Sequence, residues 1–362
     1  MDIFTSISLN YLSKARTLAF SLKQLHPDWT FHLLISDKIK ENEKYLFQKS
    51  DILTTPFDRV VFIEELPIEN LYSFIFRHTV VELCTAVKGV YLKFLQTRGA
   101  KKVVYLDPDI FVFNSLTEVD YMLDHHAVLL TPHLSEPPHE RQSIIDNEIA
   151  AVQRHGTFNL GFLAVNFERQ AAIDFADWWE NRLLNYCYAE YAIGLFTDQK
   201  WCDLVPSYFE DFFVIRDPGY DVASWNLDTR KITMSPEGQL VVNRVYPLRF
   251  YHFTGFDSGA GMIMTERYKD GNSLVDELWQ MYARKIQQNR QGEFQQVKNF
   301  YHTFDNGVEI TKEHRRIYRL WKDLQEKYPN PFSTKENQGF LNWFQSNQIA
   351  IEKELSQHQW IL

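Results

Sequence analysis

The stretch KKVVYLDPDIFVF, residues 101 to 113, places two carboxylates at the end of a strand-like run. The residues on either side of Asp107 and Asp109 are β-branched, aromatic or aliphatic, as in a buried strand. Pro108 between them favours a turn, the acidic turn Asp107-Pro108-Asp109. Acids at the tip of a buried strand are costly, so they indicate either a solvated turn or a site that uses them.

The chain before this stretch alternates between strand-like and helix-like patterns. Short apolar runs begin at Ile3, Phe31 and Val60, and helical patterns run from Leu12 to Leu25 and from about Ser73 to Gln96. Strands that alternate with helices predict an α/β fold with a parallel sheet between helices. Ligands gather at the carboxyl ends of the strands in such sheets, which is where the acidic turn lies.

The second half of the chain changes character once. Residues 132 to 147 are rich in prolines and charges and predict a long loop of the kind that often forms a lid. Strand-like runs follow at 157 to 166 and 249 to 255, and beyond residue 261 the pattern becomes helical and rich in Gln, Lys and Glu. We therefore predict an α/β domain over 1–261 and a helical C-terminal extension over 262–362.

Composition narrows the class of protein. The 362 residues are 45% hydrophobic, enough for a sizeable core, and the net charge of −9 without a basic run argues against nucleic-acid binding. Three widely spaced cysteines predict neither a disulfide framework nor a zinc site and indicate a reducing compartment. The first residues resemble a strand more than a signal peptide, and no apolar run reaches the roughly 18 residues of a membrane span.

Two carboxylates that converge in a turn can share one hard divalent cation, Mg²⁺ or Mn²⁺. A cation held by so few carboxylates normally takes substrate phosphates as its remaining ligands. The acidic turn therefore predicts a nucleoside diphosphate substrate. Because Asp and Pro are also common turn residues, a turn without any ligand is the competing interpretation.

Three further motifs follow the acidic turn in order: FNLGFLAVN at 158 to 166, TDQKW at 197 to 201 and YHFTGF at 251 to 256. Together with YLDPDIFVF they resemble the nucleotide-sugar glycosyltransferases of the GT-A fold, and most of all the family-8-like bacterial enzymes that build surface glycans. The resemblance covers roughly residues 1 to 257. It implies a Rossmann-like α/β fold with a mixed, mainly parallel sheet flanked by helices.

The resemblance also implies a reaction. A sugar would pass from a nucleoside diphosphate sugar, with UDP as the expected nucleotide, to a hydroxyl of a glycan or lipid-linked glycan acceptor in surface polysaccharide biosynthesis. The enzyme would be cytoplasmic, with docking at the inner face of the membrane left open and the oligomeric state not predicted. Enzymes of this kind retain the anomeric configuration, whereas inversion would require a carboxylate base, for which the candidates are Asp198, Glu210, Asp211 and Asp257.

The metal ligands implied by the resemblance are Asp107, Asp109 and His252, the histidine of YHFTGF. A neutral imidazole beside two carboxylates suits Mn²⁺ better than Mg²⁺. Among aromatic neighbours, His252 could instead be an ordinary core histidine.

Four residues are expected beside the donor sugar. Asn159 and Gly161 match the N-x-G motif, in which glycine allows close approach to the backbone. Asp198 and Gln199 match the D-Q pair that contacts sugar hydroxyls at the reacting face. A strand with a bulge for the first pair and a helix cap for the second are the structural alternatives.

Nucleotide contacts are expected after the first strand. Ser6, Asn10 and Tyr11 follow it, and Tyr11 either stacks on the base or packs at a helix start. Lys88 is near the position of the family's basic residue that reaches the donor, and Arg77 is the alternative. Either cation could instead lie exposed on a helix.

The last motif departs from the family. The pattern H-x-x-G normally continues to a lysine on the diphosphate, but Gly255 is followed by FDSG. Gly255 is still expected at the donor site, and the missing cation must come from elsewhere, with Lys88, Arg77 and Arg267 as candidates.

Two other classes of function compete. A phosphatase or phosphotransferase with an aspartyl nucleophile also begins at D-x-D, but it normally continues with Gly-Thr, whereas here the strand continues with Ile110 and Phe111. A non-catalytic glycan-binding module would suit the 15% aromatic content and the pair Trp178-Trp179, although aromatic residues are more often core.

Overall fold

The computed structural model describes residues 1–48, 52–335 and 339–357. Its strands are, in chain order, β1 (Asp2–Ile7), β2 (Thr30–Ile35), β3 (Arg59–Phe62), β4 (Lys102–Leu106), β5 (Ile110–Val112), β6 (Val128–Pro132), β7 (Phe158–Asn166), β8 (Phe212–Val214), β9 (Val222–Ala223), β10 (Ile232–Met234), β11 (Leu240–Val242), β12 (Tyr246–Pro247) and β13 (Phe250–His252).

The central sheet has seven strands in the order β3-β2-β1-β4-β7-β6-β8. Neighbouring strands from β3 to β4 are parallel, β7 is antiparallel to both of its neighbours, and β6 and β8 are parallel. The sheet is therefore mixed and mainly parallel, which confirms the predicted fold class. Parallel strands are buried on both faces and need near-continuous apolar sequence, which β2 and β4 provide.

The helices are α1 (Leu12–Leu25), α2 (Lys44–Gln48), α3 (Leu71–Phe76), α4 (Val80–Thr97), α5 (Thr117–His125), α6 (Arg141–Ser143), α7 (Gln170–Tyr186), α8 (Gln199–Cys202), α9 (Val205–Tyr208), α10 (Ala260–Tyr268), α11 (Ser273–Gln288), α12 (Gln291–Phe294), α13 (Lys312–Leu320), α14 (Lys322–Lys327), α15 (Phe340–Ser346) and α16 (Gln348–Gln357). Among the helices that the structure describes, none combines the length and apolarity needed to cross a bilayer.

Two predicted elements differ from the structure. The helix expected from Ser73 to Gln96 is two helices, because Thr79 caps α4 by accepting a hydrogen bond from the backbone of Glu82. The loop expected over 132 to 147 is wrong in its second half, where α6 continues into a π-helix, Ile144–Gln153. The prolines and charges of the first half hid this helical segment.

A three-stranded sheet, β5-β13-β9, brings the end of the chain's α/β part to the acidic turn. The antiparallel pairing of β13 with β5 sets His252 opposite Ile110, and the backbone N–H of Phe253 donates to the carbonyl of Asp109 at 2.9 Å. On its other side β13 is parallel to β9, with His252 opposite Ala223. This pairing fixes the position of His252 through backbone hydrogen bonds.

Residues beyond 262 contribute to the same apolar core as the sheet and helices before them. Tyr301, Phe340 and Phe344 belong to a buried cluster that also contains residues of α4 and β4, while Phe294 and Val297 belong to the cluster under β1 and α1. The helical C-terminal segments thus pack directly on the α/β part. The domain boundary near 262 stays a prediction.

Candidate active site

A cavity of about 810 Å³ opens beside the acidic turn, at the carboxyl ends of β1 and β4. Most of the residues predicted to act are part of its lining: Ser6, Asn10, Tyr11, Lys88, Asp107, Asp109, Asn159, Asp198, Gln199 and His252. Arg77, Gly161 and Gly255 are not part of this lining. The predicted residues at this one cavity are separated by up to 246 positions in the chain, from Ser6 to His252.

The acidic turn adopts the conformation that its proline favours. The backbone N–H of Ile110 donates to the carbonyl of Asp107 at 3.1 Å, which closes the turn. The N–H of Asp107 donates to the carbonyl of Gly161 at 2.9 Å, so the turn is anchored to β7. Both of these hydrogen bonds join backbone groups, and the carboxylate of Asp107 accepts a further one from the hydroxyl of Tyr105.

The carboxylates of Asp107 and Asp109 converge on the imidazole of His252. His252 Nε2 lies 3.1 Å from Asp109 Oδ1 and 3.7 Å from Asp107 Oδ2, and one ligand atom from each of the three residues lies within 4.8 Å of the others. Burial opposes ionisation of Asp109, but the charge and hydrogen bond of His252, together with the charge of Lys14, outweigh it and lower the pKa of Asp109. Burial likewise opposes the imidazolium, yet Asp109 raises the pKa of His252 well above its ordinary value.

These three residues fit a divalent cation. Two carboxylates and an imidazole are ligand types that Mn²⁺ accepts, and the carboxylates alone suit Mg²⁺. The arrangement attracts positive charge to one point, where an imidazolium and a metal ion are alternative ways to balance the two carboxylates. The predicted position of His252 beside the acidic turn agrees with the structure, although a cation at this point is a proposal.

Lys88 joins the acidic turn to the D-Q pair. Its Nζ lies 2.9 Å from Asp198 Oδ2 and 3.4 Å from Asp107 Oδ1, and it donates to the carbonyl of Leu160 at 3.2 Å. The ammonium also lies 3.9 Å from the centre of the Tyr105 ring. Burial raises the pKa of Asp198, and the neighbouring Lys88 only partly offsets this effect. Lys88 is thus a buried lysine shared between two carboxylates.

The D-Q pair is held by side-chain contacts. Asp198 occupies the residue before α8, but its carboxylate makes no capping hydrogen bond and pairs with Lys88 instead. Gln199 accepts from the N–H of Leu160 at 3.4 Å and donates to the carbonyl of His155 at 3.1 Å. The helix-cap interpretation of the Asp198 carboxylate is therefore wrong.

The sequence predicted that Gly161 lets the donor sugar approach the backbone closely. In the structure, side chains of the protein pack against Gly161 instead. A Cβ at this position would lie 2.6 Å from Cε1 of His252 and 2.6 Å from Oδ1 of Asn159. The N–H of Gly161 donates to that Asn159 oxygen at 2.9 Å. In the structure, the group that approaches Gly161 closely is therefore the imidazole of His252. A contact between Gly161 and a donor sugar stays a prediction.

Tyr11 lies at the cavity beside a second charged pair. Lys14 Nζ lies 4.0 Å from the centre of the Tyr11 ring and forms an ion pair with Asp257. Burial and the carboxylates of Asp109 and Asp257 raise the pKa of Tyr11. Asp257 follows Gly255 by two residues, so the segment in which a family lysine was expected carries an acid that recruits Lys14.

The three candidates for the missing cation differ in their position relative to the cavity. Arg77 Nη2 donates to the carbonyl of Leu184 at 3.4 Å, and Arg267 pairs with Asp146, both outside the cavity lining. Gly255 has a left-handed φ of +69° and turns the chain into α10. Of the three candidates, Lys88 alone is part of the lining, and it is already paired.

Several cavity residues were not predicted from the sequence. The lining also contains His133, Trp225, Val297, Lys298, Asn299 and His302. Asp221, buried directly behind His252, was missed as well, with Nδ1 of the imidazole 3.5 Å from its Oδ1. Asp221 and Trp225 lie in the segment GYDVASWNLDTR, residues 219 to 230, and this segment was the part of the sequence that could have indicated them. The segment from 297 carried no local signal.

A mixed, mainly parallel sheet with an acidic turn at the end of a central strand, beside a cavity of this kind, defines the GT-A class of nucleotide-sugar glycosyltransferases. The chain belongs to glycosyl transferase family 8, whose model matches residues 2–185. It is therefore a glycosyltransferase that uses a nucleotide-sugar donor. Membership in this enzyme family decides against a non-catalytic glycan-binding module and an aspartyl phosphatase.

Known relatives and structures are similar to this chain at low identity. The uncharacterized protein YfnF of Bacillus subtilis (strain 168) is 25% identical over 256 residues, covering 70% of this chain and 80% of the relative. YfnD of the same organism is 24% identical over 259 residues, with 70% and 76% covered. The structure of galactosyltransferase LgtC in complex with donor and acceptor sugar analogs matches with a TM-score of 0.44 and 18% identity, over 80% of this chain and 96% of that one.

Proposed function

We propose that this enzyme transfers a sugar from a nucleoside diphosphate sugar to a hydroxyl of a glycan or lipid-linked glycan acceptor, with the help of a divalent cation held by Asp107, Asp109 and His252. The observation that carries the proposal is the convergence of these three side chains at one cavity, with ligand atoms within 4.8 Å of one another. UDP is the proposed nucleotide, surface polysaccharide the proposed product and the cytoplasm the proposed compartment.

A bound Mn²⁺ or Mg²⁺ would supply positive charge next to the diphosphate as the bond to the sugar breaks. The chain's own contribution is to hold the two carboxylates and the imidazole at the proper place. The antiparallel pairing of β5 with β13 does this for His252, and the hydrogen bond to Gly161 does it for Asp107. Rigid strands make more precise sites than loops do.

We place the sugar near Asn159, Asp198 and Gln199. Asp198 and Lys88 form an ion pair that is almost completely buried. Gln199 is fixed at both ends of its amide, to Leu160 and to His155. These residues can present hydrogen-bonding groups to sugar hydroxyls without further reorganisation.

We place the nucleoside at the opposite end of the cavity, near Ser6, Asn10 and Tyr11. The C-terminal segment 297–302 closes this end: the side chain of Asn299 donates to the carbonyl of Ser36 at 3.4 Å, and the N–H of Phe300 donates to Asp37 Oδ1 at 2.7 Å. Ser36 in turn lies beside Ser6, with 3.4 Å between their hydroxyl oxygens.

Lys298 is a candidate for the cation that the late motif lacks. Lys298 is exposed and is part of the cavity lining. Its ammonium forms no ion pair with any residue in the described part of the chain. A lysine of this kind can attract the diphosphate from the rim of the cavity, where Lys88 is already engaged with two carboxylates. The C-terminal segment would then contribute both shape and charge to donor binding.

Retention of the anomeric configuration is the stereochemical outcome we propose, in line with family 8. Of the carboxylates considered as a base for inversion, Asp198 is paired with Lys88, Asp211 with Arg169 and Asp257 with Lys14. Glu210, Asp211 and Asp257 are moreover not part of the cavity lining. The proton NMR signal of the product's anomeric position tests this: a product with the opposite configuration to the donor would refute retention.

The direct test of the function is donor turnover. Purified protein is incubated with UDP-glucose, UDP-galactose and UDP-N-acetylglucosamine, with and without MnCl₂, and released UDP is measured. We expect release of UDP that depends on Mn²⁺ for at least one donor, and loss of this release in Asp109→Ala. Equal release by wild type and Asp109→Ala would contradict the proposed metal site.

A further inference from the structure

We propose that Asp221 is a positioning residue for His252: its carboxylate accepts a hydrogen bond from Nδ1–H of the imidazole and thereby leaves Nε2 available at the acidic turn. This inference rests on the proposed metal site and adds a residue to it. Asp221 lies behind the histidine, on the side of the ring away from Asp107 and Asp109, so it acts through His252.

The carboxylate of Asp221 is buried without an obvious partner. Its side chain is fully buried, and neither of its oxygens has a hydrogen-bond donor among the described residues. The nearby guanidinium of Arg230 donates at 3.0 Å to the backbone carbonyl of Asp221, and its charge acts on the carboxylate without a hydrogen bond to it. A buried carboxylate in this state is costly unless a neighbouring donor approaches it.

The imidazole of His252 supplies the missing donor. Nδ1 lies 3.5 Å from Oδ1 of Asp221, at the outer limit of a hydrogen bond, and has no other partner in the described part of the chain. A proton on Nδ1 leaves the lone pair on Nε2, which faces Asp109 at 3.1 Å. Histidines that bind metals commonly donate their second N–H to a carboxylate, which fixes both tautomer and orientation.

The backbone around Asp221 is held in an unusual conformation. Asp221 has a φ of +52°, in the left-handed region that side chains other than glycine rarely adopt. The side chain of Asn226 stabilises it, donating to the carbonyl of Asp221 at 3.0 Å and accepting from the N–H of Ala223 at 3.0 Å. Such conformations persist where the surrounding structure enforces them, often at functional sites.

The ring of His252 is confined by its neighbours as well as by Asp221. The indole of Trp225 meets it edge to face, with ring centres 5.5 Å apart, and donates its own N–H to the carbonyl of His133 at 3.1 Å. The backbone of Gly161 lies so close to the ring that a Cβ there would be 2.6 Å from Cε1. With the ring packed in this way, Nδ1 faces Asp221 and Nε2 faces the acidic turn, so a neutral imidazole that keeps its proton on Nδ1 would direct the lone pair of Nε2 at a bound cation.

The test is the affinity of the protein for Mn²⁺ alone, measured from the electron paramagnetic resonance signal of free Mn²⁺. We expect the Kd to rise about 10- to 100-fold in Asp221→Ala and by a smaller factor in Asp221→Asn, which keeps an acceptor atom. Asp228→Asn, in the same sequence segment but with its carboxylate bonded to Ser143, is the matched control and should bind like wild type. Thermal unfolding shows whether each variant is folded. If Asp221→Ala does not fold, the affinity of Asp221→Asn is the test.

A double variant distinguishes a positioning role of Asp221 from a general disturbance of the structure. If Asp221 acts through the imidazole, Asp221→Asn combined with His252→Ala should bind Mn²⁺ no more weakly than His252→Ala by itself. Wild-type affinity in both Asp221 variants, or an effect that adds fully to that of His252→Ala, would overturn the inference and leave the metal site intact. Equal Mn²⁺ binding by wild type and His252→Ala would overturn the metal site and the inference together.

Discussion

The two ends of the cavity are built in different ways. At the acidic turn, charged side chains are buried against one another, as in the contacts of Lys88 with Asp198 and of His252 with Asp109. At the nucleoside end, Asp37 is buried too, but its carboxylate accepts hydrogen bonds from the backbone N–H groups of Leu9, Lys38 and Phe300. The first end concentrates charge where bonds would change, and the second fixes the shape of a binding surface.

This difference assigns separate effects to the two ends. Substitutions at the acidic turn should affect turnover and metal affinity, since both depend on the position of charge. Substitutions at the nucleoside end should affect affinity for the nucleotide and the attachment of the C-terminal segment. Each prediction below tests one side of the contrast.

The largest effect is expected at the acidic turn. Asp109→Ala removes a carboxylate that lies 3.1 Å from His252, and we expect turnover to fall by about 10²- to 10³-fold or more. The measurement is kcat for UDP release at saturating donor and Mn²⁺. Asp28→Ala, an exposed aspartate in the turn after α1, is the control and should keep wild-type turnover. A loss of less than tenfold in Asp109→Ala would mean that charge at this end does not drive the reaction.

The next largest effect is on stability. Lys88→Met leaves the carboxylate of Asp198 buried without its ion-pair partner, and we expect the free energy of unfolding to fall by about 3–5 kcal/mol. Urea denaturation measures this change. Lys93→Met, on the same helix but paired with the more exposed Asp177, should cost about 1 kcal/mol or less. Similar losses in both variants would remove the contrast between buried and exposed charge.

At the nucleoside end, pH should control stability through Asp37. Burial raises the pKa of Asp37 to about 6, against the opposing effect of three backbone amides and of the charge on Lys40. An unfolded aspartate titrates near pH 4, so between about pH 4 and 6 the folded state holds a proton that the unfolded state has lost. Stability contributed by this group is therefore present below pH 4 and is lost as the pH rises through about 6.

The comparison that isolates this effect is wild type against Asp37→Asn in urea denaturation at pH 4 and pH 6.5. The difference in unfolding free energy, wild type minus variant, should decrease by about 2 kcal/mol over this interval. A difference that stays constant with pH would show that the Asp37 carboxyl has an ordinary pKa.

The smallest effect is expected for the rim of the cavity. Lys298→Ala should raise the Kd for UDP, measured by calorimetry with Mn²⁺, by about 5- to 10-fold and leave stability unchanged, since the side chain is exposed. The loss should shrink at 0.5 M salt, where screening weakens such attraction. Lys285→Ala, an exposed lysine of α11 outside the cavity lining, is the control. Unchanged affinity would exclude Lys298 from donor binding.

Local sequence patterns predicted the elements that local physics determines. The helix Leu12–Leu25 has the bounds that its apolar spacing indicated, and β4 ends at the acidic turn as its composition required. The approach of His252 to that turn could be expected only from the resemblance to a family. It depends on the pairing of β13 with β5, and no local pattern encodes contacts between residues so far apart.

The parts that the sequence did not reveal depend on burial and on long-range packing. Asp221 is one of many acids in the chain, and its lack of a partner becomes visible only once the neighbours of its carboxylate are known. Lys298 is likewise one exposed lysine among several until Asp37 and Asn299 attach its segment to the cavity. Composition alone cannot distinguish such residues from ordinary surface or loop residues.

The most direct test of the central claim is a crystal structure of the protein with MnCl₂ and UDP, with data collected at a wavelength where manganese scatters anomalously. The account predicts an anomalous peak bonded to Asp109 and to Nε2 of His252, with Asp107 in contact and the diphosphate on the open side. A peak elsewhere in the molecule, or an acidic turn whose carboxylates face away from the ion, would contradict it.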